Sequence, residues 1–150
     1  MSSPSREQLL KTANLFLEDF NEFTPESVLR HRSPTCLHRL LPATLKSPPQ
    51  TNADYGNLIA SLQPIMPAFK LRIVEGTEPV VDEVSRKVVL HLRSHANTTV
   101  GLYENEYVWT LTLSQDGASV DDVVEFADSL YTSDWLPKLN NAAKEAAAKK

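Results

Sequence analysis

Residues 101–128 constrain the fold more than any other stretch of the chain. They read as two long strands joined by a tight turn at Gln115-Asp116-Gly117. Tyr103, Asn105, Tyr107, Trp109 and Leu111 alternate along the first strand and so share one face. Glu125 sits between Val124 and Phe126 in the second. Which face Glu125 joins depends on the turn. A two-residue Asp116-Gly117 turn sets it opposite Val108, away from the tyrosines. A three-residue Gln115-Asp116-Gly117 loop, a type I turn closed by a left-handed glycine, pairs Ser114 with Ala118 and Tyr107 with Glu125. The sequence suits the longer loop, and in that register two phenols face a carboxylate across the hairpin. The competing reading makes Glu125 a solvated outer residue and Tyr103 and Tyr107 plain core aromatics.

The elements before the hairpin are helical. Ser5-x-x-Gln8 resembles a capping box, and Leu9, Leu10, Ala13, Phe16, Leu17 and Phe20 recur at helical spacing, so residues 5–23 form an amphipathic helix. Thr24-Pro25-Glu26 restarts a helix that ends before Pro34. Thr35 to Pro42 is a short apolar stretch between helices. Thr51 or Asn52 caps a third helix carrying Tyr55, Leu58, Ile59 and Leu62, which Pro64 and Pro67 end. Residues 69–128 read as strand throughout, with a bulge or edge near Gly76 and Pro79, a turn at 84–87 and a break at 97–101. Ser133 to Pro137 looks like the start of a last helix, whose Ala/Lys/Glu tail from about residue 140 has little to bury and frays. Helices, then an antiparallel sheet, then a helix make an α+β pattern in one domain spanning 1–150. Three helices on one face of a curved sheet form a cone with an open mouth.

Several chemistries find no support in the residues. Net charge is −4 with no basic run outside the tail, which argues against nucleic acid. No apolar run approaches the ~20 residues of a membrane span, and the N-terminus lacks a signal-peptide core, so a cytoplasmic protein is expected. Four scattered glycines make no phosphate loop. Cys36 is the single cysteine, which excludes an intramolecular disulfide and a cysteine zinc cluster; it reads as a buried thiol. His91 and His95 on one strand lie roughly 13 Å apart and cannot chelate one metal ion. With Arg93 they read as a polar outer face or subunit contact, as do Glu104 and Glu106. His31-Arg32 reads as solvated helix surface. His38 and Arg39 lie in an apolar stretch where one of them must point inward or lie flat. An inward Arg39 needs an anionic partner, and Glu125 or an anionic ligand would serve.

The blocks "CLHRLLP", "PPQTNADY", "PIMPAF", "VVDEVSRKVVLHL", "VGLYENEYVWTLTL" and "VVEFADS" resemble the small NTF2-like (SnoaL-like) isomerases of fungal meroterpenoid and indole-alkaloid pathways, of the terretonin, austinol and brevianamide types. The resemblance covers about residues 5–137. It implies an α+β cone, a homodimer packed through the outer sheet face, and cofactor-free acid–base chemistry on a hydrophobic, polycyclic small molecule. It also implies a catalytic set of one arginine, two tyrosines four apart and a glutamate, matched here by Arg39, Tyr103, Tyr107 and Glu125, with His38 as the rival of Arg39. On that reading Glu125 shuttles a proton, the phenols donate to a carbonyl or alkoxide, and His38, Tyr55, Leu58, Met66, Phe69, Asn105 and Trp109 line the substrate. A dehydratase or cyclase using the same groups, and a non-catalytic binding module or dimeric adaptor, are the alternatives.

Overall fold

The computed structural model describes residues 2–150. Helix α1 (Arg6–Glu22) begins where Ser5 Oγ accepts the Gln8 backbone N–H at 3.2 Å. It buries Leu9, Ala13, Phe16, Leu17 and Phe20 as one stripe. Thr24 and Ser27 form a reciprocal capping box for α2 (Pro25–Leu29). Such a cap is worth about 1 kcal/mol, enough to fix the start of so short a helix. The second helix ends at Leu29, earlier than expected, and the strand β1 (Arg32–Leu41) follows. A 3-10 turn at Ala43–Leu45 leads to α3 (Asn52–Leu62), capped by Thr51.

The sheet is built from β2 (Lys70–Ile73), β3 (Val80–Asp82), β4 (Lys87–Thr98), β5 (Gly101–Tyr103), β6 (Glu106–Leu113), β7 (Val120–Ala127) and β1. Its order is β1-β7-β6-β4-β2, with β3 and β5 also paired to β4. All pairs are antiparallel except β1 with β7. Helix α4 (Ser129–Ala148) starts four residues before the expected Ser133, because Asp128 Oδ1 caps it by accepting from Tyr131 N at 3.1 Å. It stays helical through Ala148, with Leu139 and Ala142 buried.

Inward-facing residues follow strict alternation. Leu90, Leu92, Ser94 and Ala96 of β4, and Tyr107, Trp109, Leu111 and Leu113 of β6, are all buried against α1 and α3. Their outward neighbours include polar pairs: His91 bonds Glu106 at 2.5 Å, and His95 approaches Glu104.

The hairpin register differs from the expected one. Gly117 N donates to Ser114 O and Ser114 N to Ser119 O, so the loop holds four residues, 115–118. An extra residue, Asp121, then bulges between Val120 and Asp122. Tyr107 consequently pairs with Ala127, and Glu125 pairs with Trp109. The two one-residue offsets cancel in parity, so Glu125 still shares the face of the phenols.

Candidate active site

The concave face of the sheet and the helices enclose a cavity of about 130 Å³. Its wall is mostly apolar: Phe20, Leu58, Ile59, Met66, Phe69 and Leu139 contribute to it. Two polar clusters interrupt that wall.

The first joins β1 to β7. His38 is 2% exposed, and its Nε2 lies 2.7 Å from Glu125 Oε1. Its Nδ1 lies 3.1 Å from Arg32 Nη2. A guanidinium can only donate, so Nδ1 is the acceptor and the imidazole proton sits on Nε2, donating to the carboxylate. Burial lowers the His38 pKa, and the Arg32 charge lowers it further, against the pull of Glu125. The imidazole is therefore neutral, and it holds one oxygen of Glu125. Tyr55 stacks on the imidazole at 4.2 Å and Trp109 meets it edge-on at 5.5 Å, which fixes the ring plane.

Arg32 is itself buried. Its Nε donates to Val28 O at 2.9 Å, and its guanidinium lies over the rings of Tyr55, Phe16 and Phe20 at 4.5, 5.1 and 5.8 Å. Weak hydration suits guanidinium to such a box of aromatic faces. The expectation of a solvated helical Arg32 is thus overturned: it stands at the start of a strand whose first residue faces the core.

The second cluster joins β4, β6 and α4. The Tyr107 hydroxyl lies 2.8 Å from Ser94 Oγ and 3.2 Å from the Tyr103 hydroxyl. Asn105 Nδ2 donates to the Tyr103 hydroxyl and to Thr132 Oγ1, both at 2.9 Å, while its Oδ1 accepts from Glu106 N. Burial raises both phenol pKa values: that of Tyr103 is pushed up to about 12, and that of Tyr107 stands well above the ordinary value. Both are hydrogen-bond donors at neutral pH and not bases. Burial also raises the Cys36 thiol pKa, as expected of a structural cysteine.

Ten of the eleven expected site residues line this one cavity: Glu125, Tyr107, Tyr103, His38, Tyr55, Leu58, Met66, Phe69, Asn105 and Trp109. Arg39 does not. It follows His38 on a strand and so points to the opposite face, where it pairs with Asp122. The place proposed for it beside Glu125 is taken by His38. Asn105 lines the wall, yet its amide groups are spent on Tyr103, Thr132 and Glu106. Sequence reasoning missed Arg32, Ser94 and Thr132. Only the two-residue spacing of Ser94 from Ala96 and Leu92 on an inward face signalled one of them. Among the described residues, no three His, Cys, Asp or Glu side chains converge as metal ligands.

No protein-family model matches the chain. Austinoid biosynthesis clusters protein H of Penicillium brasilianum is 41% identical over 138 residues, covering 91% of this chain and 94% of that protein. The crystal structure of BvnE pinacolase from Penicillium brevicompactum superposes with a TM-score of 0.87 at 38% identity, covering 95% of this chain and 97% of that one. A SnoaL-like polyketide cyclase from Jannaschia shares the fold, with a TM-score of 0.66 at 13% identity over 89% of this chain and 94% of that one. With relatives this similar spanning nearly its whole length, the chain belongs to the NTF2-like (SnoaL-like) isomerase family of fungal natural-product biosynthesis.

Proposed function

We propose that the protein is a cofactor-free isomerase that rearranges a polycyclic intermediate of a fungal meroterpenoid or alkaloid pathway. The supporting observation is the placement of Glu125 and the two phenols inside one apolar cavity. Glu125 Oε1 is held by His38, and Oε2 bonds no side chain among the described residues. Oε2 removes a substrate proton. The electron pair collects on an oxygen that accepts a hydrogen bond from the Tyr103–Tyr107 pair, the skeleton or double bond rearranges, and Glu125 returns the proton. Apolar walls hold the substrate in one reactive geometry. His38 stays neutral, so its N–H orients the carboxylate without competing for the proton.

Co-expression of the neighbouring biosynthetic genes with and without this one tests the reading. An isomer of unchanged mass should appear only with it. Loss of water would instead identify a dehydratase. Glu125→Gln should abolish the isomer, and Tyr107→Phe should cut its formation about 10²-fold, as loss of one oxyanion donor does. Normal rates in both variants would refute the assignment.

The same reading includes a homodimer and a cytosolic location. Val108 and Phe126 stand opposite each other on the outer sheet face at 44% and 52% exposure, an apolar pair suited to a second copy. Sedimentation of the wild type should give a dimer and of Phe126→Glu a monomer; a monomeric wild type would remove the dimer from the proposal. No described helix is long and apolar enough to cross a membrane.

A further inference from the structure

The cluster around the phenols contains three hydroxyl hydrogens, on Ser94, Tyr107 and Tyr103, and only two contacts between those hydroxyls. The Asn105 amide cannot accept one. Its Oδ1 receives the Glu106 N–H, so its nitrogen faces Tyr103 as a donor. Each contact uses one hydrogen, and one hydrogen is left over.

Three arrangements are possible. If Tyr103 donates to Tyr107 and Tyr107 to Ser94, the surplus hydrogen falls on Ser94. That hydroxyl is 2% exposed, lies behind Tyr107, and has no acceptor among the described residues. Stranding a buried donor there is costly, because it gives up its hydrogen bond to water and gains none in return. In the other two arrangements Ser94 donates to Tyr107. The surplus hydrogen then falls on Tyr107 or Tyr103, both of which line the cavity.

The local backbone supports this role. Ser94 N donates to Asn105 O in the usual β4 ladder, but the return bond from Asn105 N goes to Ser94 Oγ at 3.2 Å. Ser94 Oγ accepts there, which turns its own hydrogen towards Tyr107.

We infer that Asn105 is a positioning residue: it donates to Tyr103 and offers that phenol no acceptor, so, with Ser94 donating to Tyr107, the phenol pair presents one hydroxyl hydrogen to the cavity. The group it matches is a neutral acceptor oxygen, a ketone carbonyl, on an apolar ring system. This deepens the isomerase reading by naming the functional group at the phenol end, and it stands separately from the role of Glu125.

A bicyclic ketone, 1-tetralone, and its hydrocarbon counterpart, tetralin, are suitable probes. In the wild type, tetralone should bind about fivefold more tightly than tetralin, the worth of one neutral hydrogen bond. Its carbonyl stretch should be shifted to lower frequency relative to hydrocarbon solvent. Asn105→Asp puts an acceptor where the amide donor stands and takes up the surplus hydrogen from Tyr103, so it should lose most of the shift and of the tetralone preference while leaving tetralin affinity unchanged. Ser94→Ala removes one hydrogen and one contact together and should keep both. An unshifted carbonyl in the wild type, an unchanged shift or equal loss of both ligands in Asn105→Asp, or loss of the shift in Ser94→Ala would each overturn the inference. None of these outcomes touches the proton transfer assigned to Glu125, which the Glu125→Gln product assay decides by itself.

Discussion

His38 sits at the junction of the carboxylate and the buried guanidinium, and its protonation state is open to measurement through stability. In the native state burial, reinforced by Arg32, lowers its pKa. In the unfolded chain it titrates near ~6.5. Below that pH the unfolded state binds a proton that the folded state refuses, so stability falls as pH falls, and the loss levels off below the depressed native pKa. The limiting slope for one group is ~1.4 kcal/mol per pH unit. Between pH 7.5 and 5.5 this single imidazole should therefore cost up to about 1.4 kcal/mol of unfolding free energy. Solvent screening offers little relief, because the ring is 2% exposed.

His38→Gln isolates the effect. The Gln amide can donate to Glu125 and accept from Arg32, so both hydrogen bonds have a replacement, and it does not titrate. Urea unfolding of wild type and variant at the two pH values gives the result as a difference of differences, which cancels every other titrating group. The wild type should lose about 1 kcal/mol more than the variant on going to pH 5.5. Equal losses would refute a buried neutral His38, and with it the acceptor role assigned to Nδ1.

Two further substitutions separate the buried from the exposed arginine. Arg39→Ala removes a half-exposed pair with Asp122 on the outer face, so it should leave isomer formation unchanged and shift stability by less than about 1 kcal/mol; a large loss of activity would return Arg39 to the site. Arg32→Met removes the charge that disfavours imidazolium and the donor that fixes Nδ1, so the His38 titration seen by NMR of the ring nitrogens should move upward in pH. An unmoved titration would show that Arg32 does not act on His38.

The helices before the sheet were legible because their signals are local: Ser5, Thr24 and Thr51 each mark a cap, and the apolar stripe of α1 repeats at helical spacing. Strand β1 was not legible. It contains Pro34, lacks clean alternation, and owes its extended form to parallel pairing with β7, over eighty residues away in the chain. That omission misplaced the arginine. Read as the end of a helix and an apolar stretch between helices, residues 32–39 give no reason to prefer one face; as a strand they send Arg32 and His38 inward and Arg39 outward. The hairpin failed differently. Turn chemistry suggested three residues where the chain uses four, and a four-residue loop alone would have put Glu125 opposite Val108 on the outer face. The bulge at Asp121 reverses that, and nothing in the local sequence announces it.

The site thus depends on two hydrogen-bond chains carried by different parts of the sheet. One runs Arg32–His38–Glu125 and ends at an oxygen with no side-chain donor among the described residues; the other runs through Ser94, Tyr107, Tyr103 and Asn105 and ends at a hydrogen with no acceptor among them. A molecule that completes both supplies an acidic hydrogen to the carboxylate and an oxygen to the phenols. Burial holds both phenols far from acidic, so the pair stabilises negative charge on that oxygen by donating its one free hydrogen without releasing it. Expelling a hydroxide as water needs a group that gives its proton up, and neither phenol is placed to do so readily. On the proposed reading Glu125 is the group that carries a proton away, and it can return that proton to carbon or to a leaving oxygen. A single shuttling carboxylate opposite two reluctant acids thus serves rearrangement and dehydration alike, and the mass of the product, unchanged or reduced by one water, decides between them.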